Sequence, residues 1–286
     1  MVGTETNARL ALNGQSLACD SLKGRATSVA RERRGAVATT RSNRTVSAPP
    51  PGETGNLLLE SLPADDYTRI VPGLAVVPLR LKQMLHQPGN AIRHVYFPAG
   101  GFCSELTVLD DGRMVEVATI GREGVVGVFG DPGDGPVRSA TMVQAAGASV
   151  QMPAAVFRGE MNRGGAFFGL VAAYRLALVR FIMQSTACNA VHGAEARFAR
   201  WLLTAQDHVR AAQFSLTQEL AAMMLGVTRP TVSEVAATLQ RAGCITYRRG
   251  RVTIVDRARL EAAACECYAV TAAIVDGLGS ARQRPA

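Results

Sequence analysis

The side chains best suited to reading a nucleic acid lie in the last quarter of the chain. Arg229 offers a guanidinium fork that matches the two acceptors on the major-groove edge of guanine, and Glu234 could accept from the amino group of cytosine. Hydroxyl groups nearby can bind phosphate oxygens; they belong to Thr228, Thr231 and Ser233. Further basic groups would lie beside the phosphate backbone; they are Arg248, Arg249 and Arg251. This chemistry is that of binding double-stranded DNA.

Two helices and a hairpin are needed to present these groups, and the local sequence predicts all three. Ser215 and Gln218 fit a capping box for a first helix, which Gly226 would end. Thr228 can cap a second helix, where Pro230 is tolerated in the first turn. The buried stripe of that helix would be Val232, Val235, Ala236 and Leu239. Residues 245–247 and 252–255 are β-rich runs around an Arg-Gly turn, which predicts a hairpin.

Helix, glycine turn, second helix and hairpin together are typical of a winged helix-turn-helix. Arg229, Ser233 and Ala237 would then share the outward face of the second helix. The alternative is a helical hairpin that packs against protein and leaves its arginines solvated.

Residues 217–245 and the hairpin after them resemble the C-terminal domain of the Crp/Fnr transcriptional regulators. The sequence of this stretch is TQELAAMMLGVTRPTVSEVAATLQRAGCI. With the upstream domain, the resemblance covers roughly residues 56–275. It implies a homodimer, an N-terminal β-roll sensor domain and operator DNA as partner. RNA polymerase is a further candidate partner. Family members often carry Arg-Glu-x-x-x-Arg in the second helix. This chain has Arg229, Pro230 and Glu234 instead, which predicts a different half-site.

Upstream, residues 56–163 predict a β-roll (jelly-roll). Short apolar runs at β spacing are separated by turn signals, among them an Asp-Gly pair at 111–112. A short lead-in helix over residues 56–67 would precede them. The fold class is therefore α+β, with a β-roll at 56–163, a long helix at 164–191 and a winged helix-turn-helix at 192–275. Residues 1–55 would be a disordered basic tail and residues 276–286 a flexible tail.

The candidate ligand site lies within residues 121–140. In family members that bind cyclic nucleotides, a Gly-Glu-aliphatic-Gly loop binds the ribose and an Arg-Ser/Thr-Ala segment binds the phosphate. The matching positions here are Gly124, Val126, Gly127, Arg138 and Ser139. Val125 stands where the carboxylate should be, and an unpaired buried hydroxyl costs about 1–3 kcal/mol. The site is thus degenerate, and a cyclic nucleotide is a candidate cofactor that the residues support only in part. Glu123 is an out-of-register substitute for that carboxylate. A structural turn, with Arg138 solvated or ion-paired, is the simpler interpretation.

The sequence gives little support for a metal-based or thiol-based sensor site. Cys19 and Cys103 each lie alone in sequence, which argues against an iron–sulfur site built from about four thiolates. The absence of His-x-His argues against a metal-dependent jelly-roll enzyme. Cys265 and Cys267 are expected on a helix, where they would face different directions, so we interpret them as structural; oxidation sensing is the alternative. We therefore predict no metal site and no enzymatic activity.

The long helix carries apolar residues at alternating spacings of four and three, which is a heptad seam. The predicted dimer interface is Phe167, Val171, Tyr174, Leu178, Phe181 and Ser185, with Cys188 continuing the pattern. The alternative is a helix that buries this stripe on its own β-roll. A hinge is predicted at residues 189–193, followed by a helix in which Trp201 belongs to the core.

The overall composition limits the class of protein, the partner and the compartment that the sequence favours. The net charge of +8 suits a polyanion partner, and 48% hydrophobic residues suffice for real cores. Six scattered cysteines and no secretory signal predict a reducing cytoplasm. The resemblance to a helix-turn-helix regulator implies that the cytoplasm is that of a bacterium. No run of 18 apolar residues occurs, so no membrane span is expected. The predicted function is a DNA-binding transcription regulator; the alternative is a ligand-binding or enzymatic jelly-roll protein whose C-terminal helices contact protein.

Overall fold

Two four-stranded antiparallel sheets form the N-terminal half of the chain, in the computed structural model that describes residues 46–47, 49–130 and 135–281. The first sheet has the order β1-β2-β8-β4 and the second β3-β7-β5-β6. Their strands are β1 (Val46–Ser47), β2 (Ala75–Leu79), β3 (Met84–His86), β4 (His94–Pro98), β5 (Phe102–Val108), β6 (Met114–Ile120), β7 (Ser139–Ala145) and β8 (Gly147–Pro153). The predicted β-roll is confirmed.

The β-roll begins earlier than the sequence predicts. Val46–Ser47 pairs with β2, and the Thr54 side chain is buried. Asn56 then caps the helix α1 (Leu57–Glu60), and Pro63 separates it from α2 (Ala64–Ile70), which a short 3₁₀ turn follows. The lead-in is thus two short helices instead of one, because proline is favoured at a helix start and not in its interior. The remainder of the predicted tail, residues 1–45, lies outside the described residues.

Side chains of β5 alternate between two cores. Cys103 belongs to the core inside the roll, whereas Phe102 and Leu106 belong to a second core that includes the C-terminal helices. Successive residues of a strand point to opposite faces of the sheet, so one strand serves both cores. The C-terminal domain is therefore packed directly on the outer face of the β-roll.

The helices after the roll are α3 (Ala154–Arg163), α4 (Gly165–Val191), α5 (Ala194–Val209), α6 (Gln218–Leu225), α7 (Arg229–Arg241), α8 (Arg257–Ala263) and α9 (Cys267–Ala281). A small sheet of order β10-β11-β9 completes the domain. Its strands are β9 (Gln213–Ser215), β10 (Ile245–Arg248) and β11 (Arg251–Ile254). The predicted long helix and winged helix-turn-helix are confirmed. Of the predicted hinge, residues 189–193, two residues lie between α4 and α5: His192 and Gly193.

The predicted dimer seam on α4 is wrong. Phe167, Val171, Tyr174 and Leu178 are buried in the core that α4 shares with the β-roll, where no second chain can reach them. Phe181 packs partly against the same core, and Ser185 lines a partly open pocket between α4, α5 and α9. The alternative interpretation was correct: this stripe covers the chain's own roll because it carries the large aromatic side chains.

By length and composition alone, α4 could cross a membrane, contrary to the expectation from sequence. An 18-residue window within it has a mean hydropathy of 1.7. Core helices of soluble proteins meet the same criterion, and one face of α4 packs into the core of this chain. The apolarity of α4 therefore has a packing role that needs no membrane.

The C-terminal end is a helix where a flexible tail was predicted. Helix α9 continues to Ala281 and packs along α4. The apolar residues Ile274 and Leu278 contact the core of the β-roll, which gives the helix a reason to extend past residue 275. Residues 282–286 lie outside the described part of the chain.

Candidate nucleic-acid interface

The turn between α6 and α7 is built as the sequence predicts, except at its first cap. Thr217, and not Ser215, caps α6: its hydroxyl accepts from the backbone N–H of Leu220 at 3.2 Å. The backbone of Ser215 is instead paired with Arg251 in the small sheet. Gly226 ends α6 in the left-handed conformation, with φ of 63°, which favours glycine.

Helix α7 begins at the predicted cap and buries the predicted stripe. The Thr228 hydroxyl accepts from the backbone N–H of Thr231 at 3.4 Å, and Pro230 lies in the first turn. The buried residues are Val232, Val235, Ala236 and Leu239. The other face of α7 is therefore free to meet a partner.

That outward face carries the predicted base-reading side chains. Arg229, Ser233 and Glu234 are exposed. Arg229 Nη2 lies 2.6 Å from Glu219 Oε1 on α6, and both side chains are about 60% exposed. Because an exposed ion pair contributes little free energy, guanine can compete with Glu219 for the arginine fork. Glu219 thus holds the Arg229 side chain across the start of α7.

The three hydroxyls of this face already have partners. Ser233 Oγ donates to the Arg229 carbonyl at 3.2 Å, and the hydroxyls of Thr228 and Thr231 share a hydrogen bond of 2.9 Å. Each hydroxyl keeps lone pairs and rotates freely about its bond, so it can turn toward a phosphate without leaving a buried group unpaired.

The wing, which is the hairpin β10–β11, presents three exposed arginines. Arg248 and Arg251 are directly opposite each other across the strands, and Arg249 with Gly250 forms the turn. Both turn residues have positive φ, 49° and 73°, as a two-residue type I′ turn requires. Like charges opposite each other destabilise a hairpin. A polyanion bound at the wing would remove that repulsion.

The wing is tied to α7 by one side chain. The Tyr247 backbone N–H donates to Gln240 Oε1 at 2.8 Å. This bond, together with the common core, keeps the arginine turn and the outward face of α7 at a fixed separation. The predicted DNA-binding residues are thereby brought onto one exposed surface.

A buried carboxylate lies between this domain and the β-roll. Glu116 of β6 accepts from Trp201 Nε1 at 2.9 Å, from Thr119 Oγ1 at 3.1 Å and from the Ser104 hydroxyl. Burial raises the pKa of the Glu116 carboxyl, and the three donors and Arg200 partly offset that rise. Trp201 is confirmed as a core residue, being 3% exposed.

Within the part of the loop that the structure describes, the predicted ligand residues are not arranged as a cradle for a phosphate. Val126 is fully buried, and a Cβ added at Gly124 would collide with the Tyr174 ring. The Arg138 side chain is exposed, whereas the Ser139 hydroxyl donates to Glu105 at 2.5 Å. Gly127 has a φ of 97°, which gives this glycine a structural role. Residues 131–134 of the same loop lie outside the described range.

Glu105 lies inside the roll near the position proposed for the phosphate. Its carboxylate accepts from Ser139 Oγ and, at 2.6 Å, from Thr141 Oγ1. Burial raises the pKa of the Glu105 carboxyl to about 7, against the lowering effect of those two hydrogen bonds. When ionised, this buried carboxylate would repel an anionic ligand.

A partly open pocket of about 260 Å³ lies where β6, α4, α5 and α9 meet. Glu116, Arg122, Arg200 and His208 are among the side chains that line it. His208 Nδ1 is 3.5 Å from Glu123 Oε2, so the carboxylate suggested as a ribose ligand is oriented toward α5. The pocket therefore has charged groups of both signs and borders the DNA-binding domain.

Comparison with known proteins agrees with this geometry. Residues 196–263 match the Crp-like helix-turn-helix domain. The chain has the Crp/Fnr fold. A regulator assigned to the Crp/Fnr family from Eubacterium rectale superposes with a TM-score of 0.58 at 16% identity, over 73% of this chain and 98% of its own. FixK2 from Bradyrhizobium japonicum gives 0.56 at 17% identity, over 67% and 98%.

A third Crp/Fnr-fold structure is the c-di-GMP responsive global regulator CLP of Xanthomonas campestris. It superposes with a TM-score of 0.55 at 15% identity, over 68% of this chain and 100% of its own. No curated protein matches the chain. Identities this low establish the fold, while the Crp-like domain match identifies the helix-turn-helix.

One side-chain cluster was missed in the sequence. Cys265 and Cys267 were expected to face different directions, but their thiols converge with those of Cys188 and the ring of His192. The prediction failed because Cys265 lies before α9 and only Cys267 lies on it. A usable signal was present: Cys188 and His192 are four residues apart, the spacing of one helix face.

Proposed function

We propose that this protein is a DNA-binding transcription regulator of the Crp/Fnr type, acting as a homodimer on an inverted-repeat operator. The observation that carries the proposal is the exposed face of α7 within a Crp-like helix-turn-helix, with Arg229 in its first turn. Side chains of that turn meet base edges in the major groove. The proposal includes the cytoplasm of a bacterium as the location and RNA polymerase as a further partner.

The second copy is proposed to bind the exposed face of α4, opposite the face that covers the roll. The large apolar side chains there are Phe168, Leu176, Val179 and Met183, which are 46%, 56%, 52% and 65% exposed. Their spacings of eight, three and four residues follow one helical stripe. A contiguous apolar patch of this kind is costly in water and typical of an interface. Two α4 helices paired through this stripe would form a symmetric dimer.

Control is proposed to act where the roll and the DNA-binding domain share a core. A signal molecule bound at the roll, or in the charged pocket beside Glu116, would change the position of α5 relative to the roll. A ligand can shift that equilibrium only by binding one arrangement better than the other. The separation of the two recognition helices would change with it.

Selection of duplexes by the purified protein tests the proposal. Random DNA should become enriched in an inverted repeat whose half-sites are one helical turn apart, about 34 Å. Because Pro230 and Glu234 depart from the family pattern, the half-site should differ from that of cyclic-AMP receptor proteins. Parallel selections with cyclic AMP and cyclic di-GMP would show whether either is the signal. A protein that bound every duplex with equal affinity would contradict the proposal.

A further inference from the structure

Four side chains with metal-binding atoms meet at the hinge after α4. Cys188 lies in the last turn of α4, and His192 follows the helix end. Cys265 lies between α8 and α9, and Cys267 is the first residue of α9. The three thiol sulfurs and one ring nitrogen of His192 all lie within 4.8 Å of one another. Residues far apart in the sequence thus bring four ligands to one point.

Two of the six distances between these ligand atoms match the edges of a tetrahedron around a single ion, and the other four are at most 4.8 Å. Zinc–sulfur bonds of about 2.3 Å and zinc–nitrogen bonds of about 2.0–2.1 Å imply an S···S edge of about 3.8 Å and an S···N edge of about 3.6 Å. Cys188 Sγ lies 3.5 Å from Cys265 Sγ, and Cys267 Sγ lies 3.6 Å from His192 Nδ1. An iron–sulfur cluster would need a wider spacing, because several irons and sulfides separate its ligands.

We propose that Cys188, His192, Cys265 and Cys267 form a closed mononuclear site for Zn²⁺. Three thiolates and one imidazole are a set that zinc prefers, whereas magnesium and calcium prefer oxygen. Four protein ligands leave no open position, which is typical of a structural site and not of a catalytic one. Binding would release the thiol protons, so zinc affinity should rise with pH.

Neighbouring side chains hold the ligands as zinc proteins hold theirs. His192 Nε2 lies 3.2 Å from Glu266 Oε1, so the other ring nitrogen, Nδ1, faces the sulfurs. A carboxylate on the far nitrogen of a ligating histidine fixes its tautomer and orientation. Gln184 Nε2 donates to Cys267 Sγ at 2.9 Å, as an amide does to a thiolate. A disulfide between two of these cysteines would need none of these contacts.

The thiols also lack the surroundings of ordinary core cysteines. Cys188, Cys265 and Cys267 form a small buried cluster of their own, with Ala196 as its partly buried apolar neighbour. Cys244, by contrast, is buried within the large core of the DNA-binding domain. Cysteine in a core acts as a small hydrophobe, which explains Cys244 but not three thiols around a histidine.

A metal at this point would join three parts of the molecule. It would connect the last turn of α4 through Cys188, the hinge through His192, and the segment that leads into α9 through Cys265 and Cys267. Since His192 is one of the two hinge residues, bound zinc would fix the DNA-binding domain relative to α4. This consequence rests on the proposed function, but the metal site itself does not.

Metal content and cobalt spectra of the full-length protein test the site. Protein purified without chelators, and then given Zn²⁺, should retain one zinc per chain after dialysis. Replacement by Co²⁺ should give the intense visible bands of a tetrahedral ion and near-ultraviolet sulfur-to-cobalt absorption. Cys267→Ser and His192→Asn should each lower zinc affinity at least tenfold, whereas Cys244→Ser, a buried thiol outside the cluster, should not.

Glu266→Gln is the variant that avoids a folding defect, because the Glu266 side chain is 74% exposed. It should lower zinc affinity by about 10–100-fold while the chain stays folded. The inference is overturned if zinc remains below one-tenth per chain, or if Cys267→Ser and His192→Asn bind zinc as the parent does. It is equally overturned if anaerobically purified protein contains a Cys188–Cys265 disulfide. Equal DNA binding with and without bound zinc would affect only the proposed coupling to the hinge.

Discussion

The indole Nε1 of Trp201 donates a 2.9 Å hydrogen bond to the buried carboxylate of Glu116. Trp201 belongs to the first helix of the DNA-binding domain and Glu116 to a strand of the β-roll. The two domains are therefore joined by a polar contact inside a shared apolar core. Because the chain contains one tryptophan, its fluorescence reports this interface directly.

The Trp201–Glu116 bond should show measurable coupling. Trp201→Phe should lower the free energy of unfolding by about 1–3 kcal/mol, since it removes a donor to a buried carboxyl group. Glu116→Gln and the double variant complete a cycle, for which we expect a coupling energy of about 0.5–3 kcal/mol. Urea unfolding followed by circular dichroism measures all four proteins. Purely additive effects would show that the bond does not join the domains energetically.

Glu105 should make stability depend on pH. Its pKa is about 7 in the folded chain, against 4.5 for the free group, so the folded state binds this proton more tightly. Below about pH 4.5 the Glu105 carboxyl is protonated in both states, and its full contribution to stability is present. As the pH rises to about 7, the unfolded chain loses the proton first, so the free energy of unfolding falls by on the order of 3 kcal/mol. Glu105→Gln, which stays neutral, should remove this decline.

Thermal unfolding between pH 5 and pH 8 measures the effect of Glu105. The parent protein should lose stability across this range more steeply than the Gln variant. Asp111→Asn is a matched control, because Asp111 is exposed and hydrogen-bonded to Arg113 at the surface. Parallel curves for the parent and Glu105→Gln would mean that Glu105 is ionised throughout.

Arg229→Ala should weaken specific DNA binding by about 1–3 kcal/mol and relax the preference at one base position. The reason is the loss of the guanidinium fork that we propose binds the guanine edge. Arg113→Ala is the control: Arg113 is also exposed and ion-paired, but it lies in a hairpin of the β-roll. Fluorescence anisotropy with the selected duplex and with a scrambled one measures both variants.

Substitution of a wing arginine should give a different result from Arg229→Ala in the same fluorescence anisotropy measurement. Arg248→Ala should weaken binding to all duplexes alike and lower the slope of log affinity against log salt by about 1, as loss of a phosphate contact does. If Arg229→Ala behaved in this way as well, Arg229 would bind backbone and not bases.

Met183→Asp should prevent formation of the proposed dimer. Met183 is 65% exposed in one chain, so the charge costs the folded monomer little, but pairing of two α4 helices would bury it unpaired. Sedimentation at micromolar concentration measures the change. Leu81→Asp, at an exposed leucine of the roll, is the matched control and should remain a dimer. Tyr174→Phe should also remain a dimer, because Tyr174 faces its own roll.

The winged helix-turn-helix could be predicted nearly residue by residue because its signals are local. Thr228, Gly226 and the Arg249-Gly250 turn each act through their own backbone conformation. The face of α4 could not be assigned in that way. Its apolar residues surround the helix, so spacing alone does not show which stripe meets the roll and which meets a second chain.

The cluster of Cys188, His192, Cys265 and Cys267 could not be predicted from the sequence, for a related reason. Cys188 and Cys267 are separated by 79 residues, and only the packing of α9 along α4 brings them together. Glu116 is a further example, since a lone glutamate in a strand gives no sign of the tryptophan that covers it. Contacts between distant segments depend on the whole fold and leave no periodic trace.

The core shared by the two halves limits how freely they can be exchanged. Phe102, Leu106 and Met142 of the roll complete the apolar interior of the winged domain. A winged domain excised at Gly193, or fused to a foreign sensor, would present that interior to water. Chimeras of this protein should therefore carry strands β5 and β7 along with the DNA-binding half if they are to stay soluble.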